Sequence, residues 1–173
     1  MSSTQTTADE VKQFLSVYGK SDDPRDPDIE RLKNLIRKVS VDERYELLSS
    51  ITDGDGDTLL TTAARKGHTE LCVTLLSSLP SADRLKPILV DNYTVLHSAA
   101  RMGYKGTVSG ILNCLTADQQ LQLLFTQNIF GDTALHKAAQ RGNTETVRAL
   151  LENLTPEQQL QLLFTQNSDG NTA

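Results

Sequence analysis

Residues 131–169, GDTALHKAAQRGNTETVRALLENLTPEQQLQLLFTQNSD, contain a pattern that much of the chain repeats. The decamer QQLQLLFTQN occurs at Gln119–Asn128 and again, unchanged, at Gln158–Asn167, 39 residues later. The phrase that opens the stretch begins once more at Gly170. Self-similarity at a fixed period of this length indicates an array of stacked structural repeats.

Four threonines stand at one position of the repeat: Thr58, Thr94, Thr133 and Thr172. The first three each begin a predicted short helix that ends in an alanine pair, and a glycine follows three residues later. Gly67, Gly103 and Gly142 suit a left-handed residue that closes a helix. A second predicted helix follows each glycine, and its aliphatic residues recur at a spacing that forms one buried stripe.

These motifs resemble the ankyrin repeat, T-x-L-H-x-A-A-x-x-G. Thr94–Gly103 reads TVLHSAARMG, Thr133–Gly142 reads TALHKAAQRG, and Thr58–Gly67 reads TLLTTAARKG. The first of these three copies along the chain has Thr61 in place of the histidine, and the usual proline after the threonine is absent from all of them. The resemblance covers about residues 28–173 and implies an all-α ankyrin-repeat solenoid.

The repeats are longer than the usual ankyrin length of about 33 residues. The added segments begin at Ser40, Thr116 and Thr155, each followed three residues later by Glu or Gln, which is a capping box. Ser81 lacks that partner, and Pro87 shortens the segment after it. We therefore predict a short extra helix in each inter-repeat segment. Such lengthened repeats resemble those of ankyrin proteins from intracellular bacteria.

The predicted organisation has three parts. Residues 1–7 are polar, and we expect them to be disordered. Residues 8–39 are predicted to form a divergent N-terminal helical pair that caps the array, with helices at Ala8–Tyr18 and Pro27–Val39. Residues 40–173 are predicted to hold three full ankyrin repeats and a partial fourth. Two interpretations of the C-terminus stay open: the chain is cut there, or the helix from Pro156 to Phe164 ends the stack.

Composition limits the function. The formal net charge of −5 argues against a nucleic-acid partner. No apolar run approaches the roughly 18 residues of a membrane span, and no signal-peptide core is present, so we predict no membrane contact. We expect a cytoplasmic protein, or one delivered into a host cytoplasm if it is a bacterial effector. Cys72 and Cys114 form no zinc motif and are predicted to pack in the core.

His97 and His136 share one repeat position and allow two interpretations. They form a metal pair or proton shuttle, or each bonds its repeat threonine and nearby backbone; the family resemblance favours the second. Asp53, Asp55 and Asp57 alternate like the start of a calcium loop, but that loop's glycine and bidentate glutamate are missing, which favours a turn. We predict no metal, no cofactor and no catalytic site, because the sequence has no phosphate-binding glycine loop, no G-x-S-x-G and no H-E-x-x-H.

Two functions remain at this stage. The chain is a protein-binding module, or it is the regulatory or substrate-recruiting domain of an enzyme whose catalytic part lies beyond residue 173. We favour a monomeric, non-enzymatic module that binds an acidic protein segment. The resemblance implies a concave surface formed by turn tips and first helices, and its predicted partner-binding residues are Asp57, Thr62, Arg65, Lys66, Tyr93, Ser98, Arg101, Met102, Phe130, Asp132, Lys137, Gln140 and Arg141, with Asn171 at the next tip.

Overall fold

The computed structural model describes residues 9–11, 13–14, 28–53, 56–89 and 93–173. Ten α-helices with assigned bounds follow one another in this part of the chain, and its single extended pairing is an antiparallel bridge between Thr52 and Thr58. The helices are α1 (Asp28–Lys38), α2 (Val41–Ser50), α3 (Leu59–Arg65), α4 (Thr69–Ser77), α5 (Val95–Met102), α6 (Lys105–Asn113), α7 (Ala117–Phe125), α8 (Ala134–Gln140), α9 (Thr144–Leu151) and α10 (Pro156–Leu163).

The repeat threonines start the first helix of each repeat. Thr58, Thr94 and Thr133 are the N-caps of α3, α5 and α8, and each side chain accepts a hydrogen bond from the backbone N–H three residues later. This bond satisfies one of the free donors in the first helical turn. The predicted helix starts are therefore confirmed.

Gly103 closes α5 at φ +79°, a left-handed conformation that side chains rarely adopt. A Cβ at this position would also lie 2.8 Å from Oδ1 of Asn143 in the next repeat. The Nδ2 group of Asn143 donates to the carbonyls of Ala100 and Arg101, at 2.9 and 3.1 Å. Gly103 thus ends α5, and its lack of a side chain lets Asn143 of the following repeat bind the free carbonyls at the end of that helix.

The repeats stack in two rows. The first helices α3, α5 and α8 pack side by side, and so do the second helices α4, α6 and α9. Leucine and alanine fill the space between the rows, and Leu60, Ala64, Leu96 and Ala100 have no exposed surface. Helix α1 packs beside α4, where the second helix of a preceding repeat would lie.

Three of the extra segments form α-helices, as predicted. Ser40, Thr116 and Thr155 each make both bonds of a capping box at the starts of α2, α7 and α10. Between α4 and α5 the extra segment instead forms two 3₁₀ turns, Ser81–Asp83 and Lys86–Ile88. Pro87 lies in the second turn. Proline has no backbone N–H to donate and its ring clashes with the preceding turn, so an α-helix of normal length does not form here.

Four side chains attach the extra segments to the second helices by binding carbonyls in or just after the last turn. Nη1 of Arg44 donates to the Ser78 carbonyl at 2.9 Å, and Nη1 of Arg84 donates to the Cys114 carbonyl at 2.9 Å. The amides of Gln120 and Gln159 bind carbonyls of their own repeats. Carbonyls at a helix end have no partner inside the helix, so these bonds hold the segments in place.

The N-terminal prediction is only partly covered by the structure. Residues 9–11 and 13–14 are helical, whereas residues 1–7, for which we predict disorder, lie outside the described residues. The assignment of residues 8–39 as a cap stays a prediction.

Cys72 and Cys114 are buried free thiols, and burial raises the pKa of Cys72 to about 12. A thiol that keeps its proton at neutral pH is a packing group.

Candidate protein-binding surface

The turn between α7 and α8 forms a tip whose backbone is held by hydrogen bonds. The Asn128 side-chain oxygen accepts the backbone N–H groups of Phe130 and Asp132, at 2.9 and 3.0 Å, and the Asn128 N–H donates to the Asp132 carbonyl. Asn167 repeats this arrangement at the next tip, and Asp53 bonds the N–H of Asp57 in the same way. The predicted turn at Asp53 and Asp57 is therefore confirmed, and these asparagines and aspartates fix the loop backbone.

The two repeat histidines join successive repeats. Nε2 of His97 lies 2.8 Å from the Asp132 carbonyl, and Nδ1 lies 2.7 Å from the Thr94 hydroxyl. Nε2 of His136 lies 3.1 Å from the Asn171 carbonyl, and Nδ1 lies 2.9 Å from the Thr133 hydroxyl. A carbonyl only accepts, so Nε2 carries the proton and Nδ1 accepts. The structural interpretation of both histidines is confirmed.

Burial keeps His97 neutral. Its side chain has no exposed surface, and burial lowers its pKa to about 4 although the bond to the Asp132 carbonyl opposes that shift. Both ring nitrogens are occupied by protein groups. His97 is therefore a bridge between repeats.

Two of the predicted basic residues bind aspartates of their own repeat. Nε of Arg65 lies 3.0 Å from an oxygen of Asp57, and Nζ of Lys137 lies 2.5 Å from an oxygen of Asp132. Burial alone would raise the pKa of Asp132, but the bonds from Lys137 and Asn167 outweigh it and lower that pKa. Nζ of Lys137 also lies 5.8 Å from the ring centre of Phe130. The positive charges of Arg65 and Lys137 are therefore already paired with carboxylates of this chain.

The predicted partner-binding residues differ in how far their side chains are exposed to solvent. Thr62, Ser98 and Asp132 are buried, and the Thr62 hydroxyl donates to Asp53 at 3.3 Å. Tyr93 is half-buried, with its ring centre 5.3 Å from that of His97. Asp57, Arg65, Lys66 and Lys137 are also half-buried. The members that face solvent are Arg101, Met102, Phe130, Gln140, Arg141 and Asn171.

Comparison with known families fits this geometry. A model for ankyrin repeats in three copies matches residues 25–122, and a single ankyrin repeat model matches residues 130–156. The chain belongs to the ankyrin repeat family. A search of curated proteins found no match.

A solved structure shares the ankyrin fold. It is a chain of the crystal structure of the yeast ribosomal protein Rps3 in complex with its chaperone Yar1. The TM-score is 0.62 at 21% sequence identity, and the alignment covers 85% of this chain and 96% of that chain. The predicted all-α ankyrin solenoid is confirmed.

One exposed residue of the ankyrin tip was missed from the sequence. Ile129 is 69% exposed beside Phe130, which is 60% exposed. The sequence contains a signal that could have indicated this residue. Ile129 and Phe130 are two large apolar residues in a turn, whereas their counterparts 39 residues later, Ser168 and Asp169, are polar. The bonds of Asn128 hold the backbone of this pair in place, so binding requires less ordering of that backbone.

Membrane-spanning and metal-binding features are absent from the described part of this ankyrin chain. No helix there is long and apolar enough to cross a membrane. Within the same residues, no three His, Cys, Asp or Glu side chains are grouped to hold a metal ion.

Removing the His136 side chain tests its bridging role. We expect His136→Ala to lower the free energy of unfolding by about 1–3 kcal/mol, because the Thr133 N–H and the Asn171 carbonyl lose their partner. Urea unfolding followed by circular dichroism measures the change. An unchanged unfolding midpoint would contradict a structural role for this histidine.

Proposed function

We propose that the chain is a protein–protein interaction module that binds an acidic, partly apolar segment of a partner across α5, α8 and the tip at Phe130. Membership of the ankyrin repeat family supports a non-catalytic binding module. The observation that carries the finer proposal is the exposure of Arg101, Met102 and Arg141 near the ends of two adjacent first helices.

Charge favours an acidic partner. Arg101 and Arg141 are exposed, and neither forms a salt bridge within the part of the chain that the structure describes. Arg65 and Lys137 contribute less, because Asp57 and Asp132 already bind them. Two arginines that form no salt bridge with the described residues, on a chain of net charge −5, attract carboxylates and raise the association rate.

Apolar side chains supply the affinity. Met102 is 49% exposed on α5, and Ile129 and Phe130 project from the neighbouring tip. Exposed aromatic and flexible apolar groups on a fixed backbone are typical of binding hot spots. A partner segment with one or two apolar residues between its carboxylates would contact both kinds of group.

We also propose which kind of partner the module binds and in which compartment it acts. The length of the repeats resembles that of ankyrin proteins from intracellular bacteria, and this supports an effector that acts on a host protein. We propose that the module acts as a monomer in a cytoplasm, either its own or that of a host.

Reversing the two arginines tests the site. The probe is a set of 16-residue peptides selected on the wild-type domain from a random display library. We expect these peptides to be rich in Asp and Glu. Arg101→Glu with Arg141→Glu should weaken their binding at least about tenfold and flatten its dependence on salt. Fluorescence anisotropy at several salt concentrations measures both effects.

Lys105→Glu with Arg148→Glu is the matched control. It makes the same change in net charge on the second helices, where both residues are exposed and pair with Glu145. Exposed pairs contribute little to stability, so both double variants should stay folded. Selection of basic peptides, or equal loss of binding in the two variants, would contradict the proposed site.

A further inference from the structure

The side-chain amide of Asn128 is a buried donor without an acceptor among the described residues. The side chain is 6% exposed, and its Oδ1 accepts two backbone N–H groups of its own turn. Its Nδ2 is buried and has no hydrogen-bond partner in the part of the chain that the structure describes. An amide N–H that contacts neither water nor an acceptor costs free energy, so this position favours the arrival of an acceptor.

The next pair of tips shows which acceptor suits this position. Asn167 is the counterpart of Asn128, 39 residues later, and its Nδ2 donates to one oxygen of Asp132 at 2.9 Å. The other oxygen of Asp132 binds Nζ of Lys137. A carboxylate therefore fits between these two consecutive tips and accepts the hydrogen bond of the asparagine amide.

Between the preceding pair of tips, neutral side chains stand in place of that carboxylate and its lysine. Tyr93 is the counterpart of Asp132, and Ser98 is the counterpart of Lys137. The Tyr93 hydroxyl is buried and, like the Asn128 amide, has no hydrogen-bond partner among the described residues. A phenol O–H and an amide N–H both remain able to donate at this position, and no carboxylate of the described residues binds either.

The Tyr93 side chain can move to give access to these donors. It is half-buried, and its ring centre lies 5.3 Å from that of His97. Turning the ring outward breaks packing contacts but no hydrogen bond to the described residues. Arg101 is exposed on α5, one helical turn after Ser98, and its charge attracts an anion toward this end of the helix.

We propose that a carboxylate of the partner binds between the tips at Tyr93 and Asn128, at the position that corresponds to the Asp132 carboxylate one repeat later. Nδ2 of Asn128 and the hydroxyl of Tyr93 donate to its oxygens. The ligand is an aspartate or glutamate side chain, because Nδ2 of Asn128 cannot accept a hydrogen bond from a lysine or arginine. This carboxylate subsite rests on the proposed function, since it assigns a position to one acidic residue of the partner segment.

Replacing Asn128 by aspartate removes the donor and keeps the turn. Asp53 is the counterpart in the first repeat and accepts the N–H of Asp57 at 2.9 Å, so an aspartate is compatible with this backbone. The probe is the tightest-binding of the 16-residue peptides selected on the wild-type domain. We expect Asn128→Asp to weaken its binding at least about tenfold, because a charge-assisted hydrogen bond is replaced by repulsion.

Gln122→Glu is the matched control. It makes the same change from amide to carboxylate at an exposed residue of α7, outside the proposed subsite. Its effect on net charge is identical, and salt screens the distant charge, so binding should weaken less than about twofold. Fluorescence anisotropy measures the affinity of both variants.

A scan of the peptide identifies the carboxylate that enters the subsite. Each Asp or Glu of the peptide is changed in turn to Asn or Gln. One of these changes should weaken binding to the wild-type domain at least about tenfold and should have little further effect on the Asn128→Asp variant. Such non-additivity is expected only for groups that interact with each other.

Tyr93→Asp supplies the carboxylate from the chain itself and needs no peptide. Its comparison is Tyr93→Asn, which has the same size and lacks the charge. The aspartate variant should unfold at a urea concentration at least about 0.5 M higher, because a charged acceptor satisfies the Asn128 amide as Asp132 satisfies Asn167. It should also bind the peptide at least about tenfold more weakly than Tyr93→Asn, because its own carboxylate occupies the subsite.

Three results would overturn the subsite. The first is equal weakening of binding by Asn128→Asp and Gln122→Glu. The second is a peptide in which no carboxylate is coupled to Asn128, and the third is equal stability of the two Tyr93 variants. In each case, acidic peptides that depend on Arg101 and Arg141 leave the proposed function in place, whereas selection of basic peptides overturns both proposals.

Discussion

Replacing Leu112 by alanine is expected to lower the free energy of unfolding by roughly 2–5 kcal/mol. Leu112 is 3% exposed on α6, between the second helices of the neighbouring repeats. Truncation removes apolar contacts and leaves a cavity that the close-packed stack cannot fill completely. Because each repeat contacts only its neighbours, the loss should spread outward from α6.

The matched control is Leu151→Ala, at the same repeat position 39 residues later. Leu151 is half-buried at the end of α9, so it has fewer contacts to lose. Urea unfolding of both variants, with hydrogen exchange to locate the damage, gives the comparison. Equal destabilisation by the two substitutions would show that burial does not differ between these repeats in solution.

The second large effect is a loss of stability in mild acid. The pKa of His97 is about 4 in the folded chain, against the ordinary value of 6.5 that the unfolded chain should show. Between these values the unfolded chain binds a proton that the folded chain does not, so stability falls as pH decreases. At about 1.4 kcal/mol for each pH unit, the loss reaches about 3 kcal/mol by pH 4.

A His97→Gln variant isolates this effect. It should be less stable at pH 7, because glutamine does not reproduce both bonds of the ring. Its stability should then change less than that of the wild type between pH 6.5 and 4. The pKa of Asp132 is lowered below 3.8, so most of its contribution is lost below this window. Parallel pH profiles for the two proteins would contradict the role given to His97.

Features that depend on residues a few positions apart could be predicted from the sequence. A capping box needs a hydroxyl and a Glu or Gln three residues later, and those at Ser40, Thr116 and Thr155 form as expected. The threonine–histidine bond also joins residues three apart in one helical turn. Such bonds are local, so a single stretch of sequence contains both partners.

The candidate site could be predicted only in outline. Arg65, Lys66, Arg101, Lys137 and Arg141 read as one basic set in the sequence, but the structure pairs Arg65 with Asp57 and Lys137 with Asp132. Thr62 and Ser98 differ between repeats, as contact residues would, yet both are buried. Ion pairing and burial depend on where side chains lie in space, which the repeat register does not specify.

The repeated decamer separates what the sequence determines from what the tertiary structure decides. By itself the sequence determined the period, the helix starts, the closing glycines and the family. The tertiary structure alone decided that Leu121 and Phe125 are half-buried while Leu160 and Phe164 are exposed, although the two decamers are identical. The physical reason is that the exposure of a residue in a one-dimensional array is set by the neighbouring repeat stacked on it, and not by the residue's own segment.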